Sequence, residues 1–176
     1  MFLIAAVFAW WSASALAGDW PQWRGPDRTD VSKETGLLKT WPKNGPKLLW
    51  TYQEAGVGYS GPAIVGDVMY TMGADDTSEY VFALDLKTRK RLWSTKIGPR
   101  FRNGYGDGPR STPTVAGDLV FALGGQGNLV CVKKADGAIV WQKSMQRDLG
   151  GRMMSGWGLF RIGTRRRRSF DLFARR

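Results

Sequence analysis

The stretch 110–141, RSTPTVAGDLVFALGGQGNLVCVKKADGAIVW, limits what this chain can fold into more than any other part of it. Its apolar residues fall in short runs at Val115, 119–123, 129–132 and 139–141. Runs this short, rich in Val, Leu, Ile and aromatics and bounded by turn formers, mark strands, because a helix needs a longer periodic pattern. Gly117 and Asp118 fit a two-residue hairpin, since glycine accepts the positive φ that such turns require. Residues 124–128 and 134–137 supply the next two turns. The stretch therefore predicts an antiparallel meander of about four strands.

Most of a second copy lies upstream. Residues 60–70, SGPAIVGDVMY, align with 111–121 at an offset of 51, and residues 81–93, VFALDLKTRKRLW, align with 129–141 at an offset of 48. The offsets differ by three, which places three extra residues in a longer middle loop, 73–79, of the first copy. Trp50 closes a still earlier apolar run, 47–52, and stands 43 residues before Trp93. Repeats of about 40 to 50 residues with four short strands each are the mark of a β-propeller, in which every repeat is one blade.

These residues resemble the quinoprotein-like β-propellers built from pyrroloquinoline-quinone-type repeats. The docking motif of that family is Ala, Gly six residues later and Trp four after that. Ala83 and Trp93 fill the outer places in one copy, with Arg89 where Gly is usual. Gly137 and Trp141 fill the later places in the other, with Cys131 where Ala is usual. The segments DWPQWRGP at 19–26 and GDGPRSTPT at 106–114 are similar to secreted soluble members related to an outer-membrane assembly factor. The resemblance spans roughly residues 19–158. It implies an all-β fold of four-stranded antiparallel blades, quinoprotein alcohol dehydrogenase-like, with the Trp of each blade held against its neighbour. Ala83, Trp93, Cys131, Gly137 and Trp141 are then blade-docking residues, and Trp141→Ala is expected to cost about 3 to 5 kcal/mol.

The chain divides accordingly. Residues 1–17 combine an apolar run with a small-residue ending, Ala15-Leu16-Ala17, and read as an export signal cleaved before Gly18, with an uncleaved anchor as the alternative because no Lys or Arg precedes the run. Residues 18–46 form a leader packing on the propeller, and 47–158 a partial propeller with blades at about 60–97 and 111–143 and the start of a further blade at 151–158. Run 47–52 is expected as a lone outer strand that completes a last blade. Closed propellers use about four to eight blades, so about two to three make an incomplete one, whose open strand edges invite aggregation.

The formal net charge is +11, but residues 159–176 hold seven Arg and one Asp, leaving +5 for the remainder. Basicity is thus largely a property of this tail, which lacks strand alternation and is expected to be disordered and to derive from a one-base frame shift. A nucleic-acid or membrane arm at 165–168 is the competing reading. The single cysteine excludes an internal disulfide, and without histidine the usual zinc sets and serine triads cannot be built. Cys131 reads as a small buried core residue.

Two functional classes follow. The first is an exported, non-catalytic binding or assembly scaffold, periplasmic or extracellular, with a protein or glycan partner, no cofactor, no nucleic acid and no stable membrane span once the signal is removed. Trp20, Trp23 and Arg24 offer one candidate surface, since aromatic faces give large contact area at low entropic cost. Tyr105, Asp107 and Arg110, in the loop 99–110 that also carries Arg100 and Arg102, offer another. Both sets also have a structural reading: the tryptophans pack on the propeller, and Arg110 holds loop carbonyls or pairs with Asp107. The second class is a fragment of a quinone-dependent alcohol dehydrogenase, for which the resemblance implies quinone, calcium-ligating carboxylates and amides, a catalytic Asp and a pair of adjacent cysteines. No adjacent cysteines occur, and nothing marks Asp107 above a turn residue. No catalytic, cofactor or metal residue is therefore assigned.

Overall fold

The computed structural model describes residues 18–153 and the backbone of 160–161. The proposed export signal and most of the basic tail lie outside the described residues. Among the described residues all regular structure is β. Strands β1 (Ala63–Val65), β2 (Val68–Ala74), β3 (Ser78–Asp85) and β4 (Arg91–Pro99) form one antiparallel sheet in the order β1-β2-β3-β4. Strands β5 (Thr114–Ala116), β6 (Leu119–Leu123), β7 (Asn128–Lys133) and β8 (Ile139–Ser144) repeat that order in a second sheet. Strand β9 (Arg152–Met153) pairs with β10 (Phe160–Arg161), so a ladder extends past residue 158, where the alternation was expected to stop. A two-pair ladder uses only backbone groups, which any side-chain sequence supplies.

Two features differ from expectation. The pairs Tyr70↔Ala83 and Phe121↔Cys131 are equivalent, yet four further pairs follow the first and only two follow the second before the hairpin turns. The three extra residues of the first copy therefore lengthen its ladder instead of its loop. Longer pairing satisfies backbone donors and acceptors that a larger loop would leave to water. The second difference is run 47–52, which carries no ladder; the isolated bridges of this region are Trp20↔Ile64 and Val57↔Ala74. Its Trp50 nevertheless lies beneath the Arg89 guanidinium at 5.9 Å, and Tyr52 packs 6.1 Å from the Phe82 ring.

Between the blades sits the core. Tyr70, Met72, Val81, Ala83, Trp93 and Ile97 of the first blade cluster with Val115, Val120, Ala122, Val130 and Val132 of the second. In β6 and β7 the inward set is Val120, Ala122, Val130 and Val132, so period-two alternation turns Phe121, Leu123 and Leu129 to the opposite face. The Trp93 indole closes the junction: its Nε1 donates to the Lys134 carbonyl at 3.0 Å, and the ring covers Gly137. A Cβ on Gly137 would stand 2.5 Å from Trp93 Cε3, and the residue has φ 73°, so only glycine fits both the turn and the ring. Thr95 Oγ1 donates to the Gly137 carbonyl at 2.6 Å beside it. Arg89, at the equivalent turn of the first blade, holds φ 61° with a side chain and meets Trp50 through its guanidinium.

Trp141 repeats this geometry on the other side. Its ring lies 6.0 Å from Phe121, as Trp93 lies 6.0 Å from Tyr70. Yet Tyr70 and Trp93 are buried while Phe121 and Trp141 are only half-buried. The stability contribution expected of Trp141 is accordingly carried by Trp93. Trp93→Ala should destabilise the fold by about 3 to 5 kcal/mol, the usual cost of emptying a buried aromatic site, and Trp141→Ala by clearly less. Urea unfolding of both variants measures the difference; equal losses would contradict the burial asymmetry.

Candidate functional site at the loop end of the blades

The β2–β3 and β6–β7 turns and the inter-blade loop 99–110 gather at one end of the meanders. An arginine-centred network orders that loop. Arg100 Nη2 contacts Asp107 Oδ2 at 2.9 Å, while its Nη1 donates to the Asp75 carbonyl at 3.0 Å. Arg102 donates to the Asp76 carbonyl at 2.8 Å and lies 3.5 Å from Asp107. The Asn103 N–H, bonded to Asp107, together with the Arg100 charge, holds the Asp107 carboxyl below its ordinary range. Arg110 does not pair with Asp107. It donates to the carbonyls of Gly106 (2.8 Å) and Gly108 (3.2 Å), sandwiched 5.3 Å from the Tyr59 ring and 5.0 Å from the Phe101 ring.

Glu79 is the residue at this end that the repeat pattern did not reveal. It sits at the tip of the lengthened first hairpin and is fully buried. Its Oε1 accepts the Phe101 N–H at 3.1 Å and its Oε2 the Gly125 N–H at 2.8 Å, so one carboxyl ties the first blade to the inter-blade loop and to the second blade. The turn it enters is Gly124-Gly125, and a Cβ on Gly124 would stand 2.6 Å from Oε2. Burial pushes the Glu79 carboxyl above the usual carboxylate range, against the pull of the two N–H groups and the Arg110 charge. The only sequence signal was the glycine pair, which reads as an ordinary turn. Nearby, the Thr77 and Ser78 N–H groups hold exposed Asp75 down at about 2.

Facing solvent at this end are Tyr59, 62 % exposed, and Tyr105, 72 % exposed; the Tyr59 hydroxyl donates to the Tyr105 carbonyl at 3.3 Å. The structure thus brings Tyr105, Asp107 and Arg110 together and adds Tyr59. The leader residues differ in their surroundings. Trp20 exchanges both backbone hydrogen bonds with Ile64 of β1 and packs its ring on Gly25. Trp23 is 67 % exposed, with the Arg24 guanidinium 5.5 Å above its ring and paired to Asp30 at 2.6 Å. Cys131 is fully buried opposite Trp141, its thiol pushed up by that burial, and Ala83 is fully buried opposite Trp93.

Four-stranded meanders stacked face to face, each closed by a tryptophan in the same register, define a partial β-propeller of the pyrroloquinoline-quinone-repeat class. Residues 26–151 match the family described as outer membrane protein assembly factor BamB, and the chain belongs to that family. It is 31% identical over 136 residues to outer membrane protein assembly factor BamB of Burkholderia pseudomallei (strain K96243), covering 74% of this chain and 32% of that protein. To the same factor of Pseudomonas aeruginosa it is 29% identical over 77 residues, 43% of this chain and 19% of that protein. The chain thus spans about a third or less of the curated relatives it matches. Among solved structures, BamB from Moraxella catarrhalis aligns over 57% of this chain and 28% of its own at 22% identity and TM-score 0.43. Quinohemoprotein alcohol dehydrogenase from Comamonas testosteroni aligns over 61% and 15% at 20% identity and TM-score 0.45.

The quinone and calcium implied by the alternative dehydrogenase reading find no ready-made donor set among the described residues. Among the described residues no three His, Cys, Asp or Glu side chains converge. Of the carboxylates of the loop end, Asp75 and Glu79 are engaged by backbone N–H groups and Asp107 by Arg100 and Asn103, while Asp76 is fully exposed with Arg100 at 3.5 Å.

The raised Glu79 pKa gives a stability term of defined sign. Because the folded state holds this proton more tightly than the unfolded chain, the contribution is complete below the unfolded value, near 4.5, and is lost as pH rises through the higher folded one. Urea unfolding between about pH 4 and about pH 8 should show a decline that is absent in Glu79→Gln. Glu79→Ala, which strands two buried N–H donors at about 1 to 3 kcal/mol each, should cost about 2 to 6 kcal/mol. A pH profile unchanged by Glu79→Gln would contradict the assignment.

Proposed function

We propose that this chain acts as an exported, non-catalytic binding scaffold that engages a protein partner at the loop end of its blades. The observation that carries this reading is how the polar groups there are used. Arg100, Asp107 and Arg110 hold loop backbone, while Tyr59, which backs onto the Arg110 guanidinium, and Tyr105 keep most of their surface exposed. A rigid loop presenting aromatic faces suits recognition, since rings bury large area with little loss of side-chain freedom. Membership of an outer membrane assembly family makes a protein ligand the favoured class. The export reading rests on residues 1–17 and places the scaffold in the periplasm or outside the cell. No helix among the described residues is long and apolar enough to cross a membrane.

A test uses a urea-solubilised outer-membrane β-barrel polypeptide diluted into buffer with the full chain, read by fluorescence anisotropy. Binding should be saturable and should weaken roughly tenfold or more in Tyr59→Ser/Tyr105→Ser, as expected when two aromatic anchors are lost. Binding untouched by these changes would overturn the surface. Adding the quinone with calcium should leave Tm unchanged; a rise of several degrees would favour the dehydrogenase reading, because a ligand that binds only the folded state stabilises it.

A further inference from the structure

At the opposite end of the blades both sheets carry the same irregularity. In the first, Ala83 pairs with Trp93 and Leu84 with Arg91, so Leu92 is an unpaired bulge residue. In the second, Cys131 pairs with Trp141 and Val132 with Ile139, and Val140 is the bulge residue. A bulge adds one residue to one strand and re-aims its side chain. Both side chains are large, apolar and open to water, Leu92 at 53 % and Val140 at 49 %. Together with Val68 and Leu119 they line a groove of about 630 Å³ between the two blades. Lys133 and Lys134 also line it, opposed by Asp118, whose carboxylate is fully exposed and 3.8 Å from Lys134 Nζ. The turn that leads into the first bulge carries four further cations outside the groove, of which Lys87 pairs with Asp67, Arg91 with Glu54 and Arg89 stacks on Trp50, so the charge of the groove itself is set by Lys133 and Lys134.

We propose that this groove is a second binding site, which takes an apolar side chain from an extended acidic peptide segment of a partner protein. The apolar lining of the groove accepts a projecting side chain, and the lysines at its edge set the sign of the flanking charge. A phosphate backbone offers nothing to fill an apolar groove. The site lies away from Tyr59 and Tyr105 and does not depend on them.

The experiment titrates the full chain into fluorescein-labelled Asp-Glu-Leu-Phe-Glu-Asp and reads anisotropy. Saturable binding is expected, weakened roughly tenfold in Leu92→Ser/Val140→Ser and in Lys133→Gln/Lys134→Gln, with the second pair flattening the salt dependence. These positions are on the surface, and circular dichroism verifies that the variants fold. Absence of binding, binding kept in either double variant, or equal binding of the peptide with lysines in place of its acids overturns the proposal. Phosphatidylglycerol vesicles bound with the same sensitivity to the variants would also overturn it, in favour of a lipid surface.

Discussion

An indole laid over a bare Cα is the contact on which the stacking of the blades depends. Trp93 reaches its neighbour only because residue 137 has no side chain and holds a left-handed turn that brings the Lys134 carbonyl within reach of the indole N–H. The apolar cluster behind it sets Tyr70, Met72 and Ile97 among smaller and branched side chains such as Ala83, Val120, Ala122, Val130 and Val132. Hydrophobic burial is non-directional; it brings the sheets together and leaves their alignment open. The hydrogen bonds from Trp93 and Thr95 to the 134–137 turn supply the missing direction. The tryptophan thus converts two meanders that attract each other into two that meet in one way.

Junction chemistry differs between the two ends of the same interface. Where Trp93 docks, the lock is an aromatic ring on glycine. At the loop end it is the Glu79 carboxyl, buried between Phe101 and Gly125 and again admitted by glycine. The two locks also respond differently to solution conditions. The aromatic one is insensitive to pH, while the carboxyl is caught between burial, which favours its neutral form, and two N–H donors, which favour the charged one. Since the loop carrying Tyr105 starts beside Phe101, the lock that titrates is the one next to the proposed binding surface.

Strand order and turns were legible in the sequence because each depends on local chemistry that repeats: Gly-Asp pairs at 66–67 and 117–118, apolar runs of strand length, and a closing tryptophan. Three features were not. The insertion in the first copy changed the offset by three, and the sequence alone could not tell a longer loop from a longer ladder, since either satisfies the alignment. The role of Glu79 depends on what a neighbouring blade offers at its tip, a contact 46 residues distant in sequence. The bulges at Leu92 and Val140 are invisible to a period-two pattern, which assigns every residue to one face or the other and has no place for an unpaired one. Repeats report what each blade does alone, and these features belong to pairs of strands or pairs of blades.

The two faces of the pair of blades are unlike. On the incoming side Phe82 and Leu84 are buried, with Tyr52 of the preceding segment against Phe82 and Val57 bridged to Ala74. On the outgoing side Phe121, Leu123, Leu129 and Trp141 occupy the places that Tyr70, Met72, Val81 and Trp93 hold in the first blade, yet remain half-buried. The outgoing face therefore repeats the register of the face that the first blade presents to the second. The two left-handed turns also differ: at 137 the Trp93 ring lies where a Cβ would stand, so the position must be glycine, whereas Arg89 keeps its side chain and meets Trp50 through the guanidinium. Glycine is demanded where the indole covers the Cα itself.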